Sequence, residues 1–245
     1  MRLLIFIIAF SSTSLFAGTP DSLKTKKWAV GITYSPDFCY RVAYKGKTEA
    51  FSTNSEKGKI GFTAGVNLLY RLMDKIGIEF GVLYSTKGQK VNTVAWDSPN
   101  GGYYDPAIPN YDEQGTMVEP EKHITYTYKY IEIPLKVNVY VINKRLKVFP
   151  SIGCLANIFT GKTTKTKYIL ADSSPIKTTQ NFQRKNIPST EFALLLGVGL
   201  SYDINKNIFV KLEPSYRTFI RPLVDGPVSG TLYSIGANAG VYFNF

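Results

Sequence analysis

Residues 59–85 read KIGFTAGVNLLYRLMDKIGIEFGVLYS. In the first half, Ile60, Phe62, Ala64, Val66, Leu68 and Tyr70 recur at every second position. Gly61, Thr63, Gly65, Asn67 and Arg71 belong to the other set. After the short break LMDK the rhythm resumes, with Ile76, Ile78, Phe80, Val82 and Tyr84 against Gly77, Glu79, Gly81 and Ser85. A period of two is the mark of a β-strand. The composition of the second face decides the fold. A soluble sandwich turns its apolar face to a shared core and its charges to water. Glycine, serine, threonine and asparagine suit a crowded interior better than a solvated surface. An apolar outside around a polar inside is the transmembrane barrel pattern, and runs of about ten residues match tilted strands crossing a bilayer.

The same alternation appears in WAVGITYS (28–35), YIEIPLKVNVY (130–140), FALLLGVGLSY (192–202), IFVKLEPSYR (208–217) and GANAGVYFNF (236–245). LKVFPSIGCLANI (146–158) is less regular, because Phe149 and Leu155 fall on the polar side. That makes eight segments. Short links, LMDK, VINKR and DINKN, alternate with long ones near 36–58, 86–123, 160–190 and 218–231. The expected fold is all-β: an eight-stranded antiparallel up-and-down barrel in the bacterial outer membrane, with short periplasmic turns and long extracellular loops. A closed barrel has no edge, so the last segment must pair with the first. Its alternating Val241, Phe243 and Phe245 are expected to form the signal read by the barrel-insertion machinery.

MRLLIFIIAFSSTSLFA (1–17) has one charge, Arg2, before the apolar run Leu3–Phe10, and ends in a Ser/Thr-rich stretch with Ala17. It reads as a secretory signal peptide, too short for a membrane anchor. The expected organisation is signal peptide 1–17, a short periplasmic segment 18–27, and a barrel over 28–245. Only Arg2 is lost with the leader, so the mature chain keeps about +10 of the formal +11 charge. A basic exported protein suits anionic surfaces such as lipopolysaccharide; nucleic acid is not an expected partner. The two cysteines, Cys39 and Cys154, lie far apart in different contexts, and no bridge between them is expected.

YKYIEIPLKVNVY (128–140) resembles the YLEIPL strand of the PorT-like outer-membrane β-barrel family, widespread in Bacteroidetes. VKLEPSYRTFI (210–220) resembles that family's penultimate strand, and the glycines of LGVGLSYDI fit the strand before it. The resemblance covers essentially the mature chain and implies the barrel fold. Some PorT relatives belong to type IX secretion and gliding machinery. Pro134, lacking a ladder donor, is expected to mark a bulge or bend. Tyr126, Tyr128 and Tyr130 have polar-face parity, so either a bulge switches the register there or, the favoured reading, the strand has left the membrane above residue 128.

No cofactor, metal or catalytic group is expected. ANIFTGKTTK (156–165) is a relaxed phosphate-loop match without the helix that the mechanism needs. His123, the only histidine, could serve as a general base in a lipid A-modifying enzyme, but no nucleophile is marked beside it. Arg71, Glu79, Glu132, Lys136, Lys211, Glu213 and Arg217 share the interior parity. They are expected to form a structural ion-pair network, since an unpaired buried charge is costly. A narrow channel is the alternative, limited because eight strands leave an interior just filled by side chains. Lys162, Lys165, Lys167, Lys177, Arg184 and Lys185 crowd 160–190 against Asp172, which suits a solvated loop or lipopolysaccharide phosphates. Residues 86–123 carry Asp97, Asp105, Asp112, Glu113, Glu119 and Glu121 with Trp96, Tyr103, Tyr104 and Tyr111. Their spacing fits no calcium loop, and interleaved aromatics suit contacts with envelope proteins. The expected function is therefore non-enzymatic: an interaction or accessory component at the cell surface, with secretion machinery as one setting.

Overall fold

A computed structural model describes residues 26–45, 49–51, 56–93, 121–170, 175–182, 188–221 and 228–245. The expected signal peptide lies outside them, as do Trp96, Asp97, Tyr103, Tyr104, Asp105, Tyr111, Asp112, Glu113, Glu119, Asp172, Arg184 and Lys185. Each alternating segment is a strand. In chain order they are β1 (Trp28–Lys45), β2 (Glu49–Phe51), β3 (Glu56–Met73), β4 (Ile76–Thr93), β5 (Glu121–Val139) and β6 (Ile142–Asn143). β7 (Leu146–Ile169), β8 (Pro175–Phe182), β9 (Thr190–Asp203), β10 (Ile208–Phe219) and β11 (Val228–Asn244) follow. Eight long antiparallel strands ring round in the order β1, β3, β4, β5, β7, β9, β10, β11, and β11 pairs back to β1. The closing ladder runs from Ala29 opposite Asn244 to Lys45 opposite Val228. β2 adds to β1, while β6 and β8 add to β7.

Polarity is inverted relative to a soluble protein. Ile32 and Ile60 each expose 73% of their surface, and Val82, Phe192, Leu196, Ile235 and Val241 are also exposed. Glu79, Glu132, Glu213, Asp37 and Asn138 are fully buried. The outward side chains of β11 from Phe245 to Tyr233 span about 40 Å of strand, or roughly 30 Å of height at a tilt near 40°. That matches a bilayer's hydrocarbon core. Outward aromatics gather near both ends of this band, as in outer-membrane barrels. Trp28 packs tilted against Tyr70, ring centres 4.5 Å apart, near the short turns. Tyr34, Phe62 and Tyr84 stand in a row towards the other end.

The strands outrun the apolar pattern. Residues 36–45, 86–93, 121–123 and 160–169, read from sequence as connections, are strand. Beyond the lipid boundary the outward positions turn polar, at Thr86, Lys90, Thr125 and Lys165, so alternation lapses while the backbone ladder continues. Pro134 marks no bulge: β5 holds one register against β4 from Phe80–Leu135 to Leu83–Glu132. The irregularity on β5 lies instead at Lys129/Tyr130, where β7 carries Thr160 as an extra residue. A second one interrupts β3 between Gly58 and Phe62. Tyr128 and Tyr130 keep the inward parity and are buried. Both cysteines are free, Cys39 facing in and Cys154 out.

Candidate functional site: the charged lumen and the extracellular rim

The inward positions stack in layers. Nearest the short turns, Ala29, Leu69, Phe209 and Tyr242 pack together, with Phe209 and Tyr242 stacked at 4.9 Å. Phe149 and Tyr140 add to this floor at 5.2 Å from each other. At the opposite end, Tyr128, Tyr130, Leu155, Ala193, Leu195, Phe219 and Leu232 form a second apolar layer, with Tyr126 and Phe159 against it. Leu69, Phe149 and Leu155, which break the alternation in sequence, are pieces of these two layers.

Between them lie the charges. Lys136 Nζ sits 3.1 Å from Glu79 Oε1 and 2.9 Å from Glu213 Oε2. Lys211 Nζ lies 2.9 Å from the same Glu213 oxygen and bonds Glu79 Oε2. Two carboxylates and two ammoniums thus alternate with no net charge. The spare lone pairs are also met. Ser151 Oγ donates to Glu213 at 2.6 Å, while Asn138 Nδ2 and Tyr242 OH donate to Glu79 at 3.1 and 3.0 Å. Such full satisfaction is what makes a buried ion group tolerable.

Two smaller groups sit nearer the extracellular side. Lys87 pairs with Glu132 at 2.6 Å, and Ser85 Oγ donates to the same carboxylate at 2.7 Å. Arg217 Nη1 lies 3.0 Å from Asp37 Oδ2 and donates to Thr63 Oγ1 at 2.9 Å. Thr63 donates in turn to Asp37, and Ser35 Oγ reaches its other oxygen at 2.7 Å. Arg217 Nη2 also donates to Asn238 at 2.7 Å. This group bridges β1, β3, β10 and β11 across the seam of the barrel.

Of the residues expected in the lumen, Glu79, Lys136, Lys211 and Glu213 meet in one cluster. Glu132 and Arg217 belong to the two groups above it. Arg71 stands at the periplasmic rim, its guanidinium 5.9 Å from the Phe209 ring centre. Asp37 and Lys87 were missed, though parity predicts both: each continues an inward series, one past Ser35, the other past Ser85. Val241, Phe243 and Phe245 face outward, and Phe245 N donates to Trp28 O at 2.9 Å across the seam.

His123 lies near the start of β5 on the outside of the extracellular extension, opposite Lys167 of β7. It lines a cleft of about 570 Å³ with lysines, threonines and an isoleucine. On the inner face of the same extension, Lys162 lies 4.6 Å over the Tyr126 ring. Burial pushes its ammonium pKa below the usual lysine value.

A closed barrel with a lipid-facing apolar band and a filled polar lumen defines an integral outer-membrane protein. Residues 16–217 match the outer membrane protein beta-barrel domain family, and the chain belongs to it. No curated protein sequence matches. Among solved structures, the chain is similar to Neisserial surface protein A (15% identity, 89% of this chain and 97% of the other, TM-score 0.38). It is similar too to the outer membrane protease OmpT of Escherichia coli (9%, 91% and 98%, TM-score 0.47). A major outer membrane protein of Thermus thermophilus gives 12% identity, coverage of 89% and 99%, and a TM-score of 0.44.

Proposed function

We propose that the protein is a non-enzymatic barrel acting as an interaction or accessory component at the cell surface, with its lumen a structural core. The observation that carries this reading is the stacking of compensated ion groups between two apolar layers. A path for solute would need room through both layers, and the charged groups between them are already engaged with one another. The surface left for work is the extracellular extension of β3, β4, β5, β7 and β8. The likeness of Tyr128–Tyr140 and Val210–Ile220 to PorT-like strands supports the barrel, and the partner within a secretion or surface assembly is proposed from the extracellular extension alone. Val241, Phe243 and Phe245 would be the contact with the insertion machinery during biogenesis.

The test is reconstitution of the full chain into planar bilayers, together with affinity capture from gently solubilised outer membranes. The barrel is expected to leave the bilayer electrically silent and to retain a defined envelope protein. Steady ion conductance would overturn the reading in favour of a channel.

A further inference from the structure

Above the apolar band the outer face of the barrel changes character. Lys90 on β4 lies opposite Lys57 on β3 and, on its other side, opposite Thr125 on β5. Thr125 in turn faces Lys165 on β7. Directly opposed residues of antiparallel strands share one face of the sheet, so three lysines stand in a row across four strands. Two residues further out, His123 faces Lys167, which faces Lys177 on β8. These side chains line the 570 Å³ cleft, and its other described lining residues are threonine and isoleucine, with no carboxylate. Like charges opposed across strands destabilise a sheet. The opposed pairs Lys57–Lys90 and Lys167–Lys177 therefore cost stability until an anion neutralises them.

We propose that this cleft binds the phosphorylated sugar headgroup of an anionic, lipid A-type glycolipid of the outer leaflet. The inference rests on the extension being the working surface and names what it holds. Position selects the source of the phosphate. Lys90 has the outward parity of Tyr84, a lipid-facing aromatic, and stands six residues beyond it. That is about 20 Å of strand, or roughly 15 Å of height at the usual tilt. Lys57 lies only three residues from the exposed Ile60, about 10 Å of strand. The lysines thus begin near the top of the acyl chains and rise through the layer where sugar phosphates stand. A lysine ammonium suits them as a mobile point charge with three donors.

The full chain, folded in zwitterionic detergent micelles, is titrated with bisphosphorylated lipid A and with the same lipid stripped of phosphate. Inorganic polyphosphate serves as soluble competitor. The phosphorylated lipid is expected to bind, more weakly as salt rises. The triple variant Lys90→Gln, Lys165→Gln, Lys167→Gln should bind it about ten- to a hundredfold less well. Lys144→Gln with Lys206→Gln, at the periplasmic turns, should bind like wild type, and circular dichroism should show all variants folded. Wild-type binding by the triple variant, or equal binding of the two lipid forms, would overturn the proposal. Tighter binding of polyphosphate than of lipid A would overturn the membrane source. These outcomes leave the electrical silence of the barrel intact, so a failure here is distinct from failure of the accessory-component reading.

Discussion

Glu213 shows how much depends on single carboxylates. It is shared by Lys136 and Lys211, each 2.9 Å away, and accepts from Ser151. Glu213→Ala leaves two buried ammoniums facing Glu79 alone, and an uncompensated buried charge costs roughly 3–5 kcal/mol. The melting temperature of the detergent-solubilised barrel should fall clearly. Adding Lys211→Met restores neutrality, because Glu79 and Lys136 remain paired, and should recover part of the loss. Unchanged melting in the single variant, with loss of a lipid-modifying or transport activity, would make the lumen an active site. Glu191 offers the contrast. It is buried, yet among the described residues no group donates to either of its side-chain oxygens. Glu191→Gln removes a charge without stranding a partner, so melting should hold steady or rise.

At the scale of elements, the network depends on glycines that let strands and side chains meet. A Cβ on Gly197 of β9 would stand 2.6 Å from Ser151 Oγ and 3.0 Å from Glu213 Oε1. Gly197→Val should therefore displace the hydrogen bond that holds Glu213. Its destabilisation should overlap with that of Glu213→Ala, the double variant losing less than the sum of the singles. Additive losses would mean that the glycine matters only to the backbone. The same elements show what the sequence makes legible. Strand positions and the inward charges follow from alternation, because lipid outside and a packed lumen inside impose opposite demands on neighbouring residues. Strand ends do not follow, since Thr86, Lys90 and Lys165 lie above the lipid chains, where the ladder persists without an apolar signature. Partners within the lumen are equally hidden. Lys136 and Glu213 are 77 residues apart in sequence, and closure of the ring alone brings them together.

For the whole molecule, closure is the organising event. β11 is held on both flanks: Val241 lies opposite Val210 on one side and Ile32 on the other. Across this seam Arg217 on β10 reaches Asp37 on β1, so the last ladder also completes an ion pair. A ring without an edge cannot fray strand by strand, and unfolding must break a full ladder at once. The folded form should therefore survive detergent at room temperature and migrate differently on a gel from the boiled chain. Phe245 contributes at the end of that ladder, donating its N–H to Trp28 O and presenting its ring outward. Deleting Phe245, or replacing it with Asp, removes the outermost member of the Val241–Phe243–Phe245 series proposed above to contact the insertion machinery. The heat-modifiable band in outer membranes should drop strongly for either variant and stay at the wild-type level for Lys165→Ala, whose side chain lies beyond the hydrocarbon core at the opposite end of the barrel. Equal bands for wild type and the deletion would show that closure proceeds without the terminal aromatic and that insertion is specified elsewhere in the barrel.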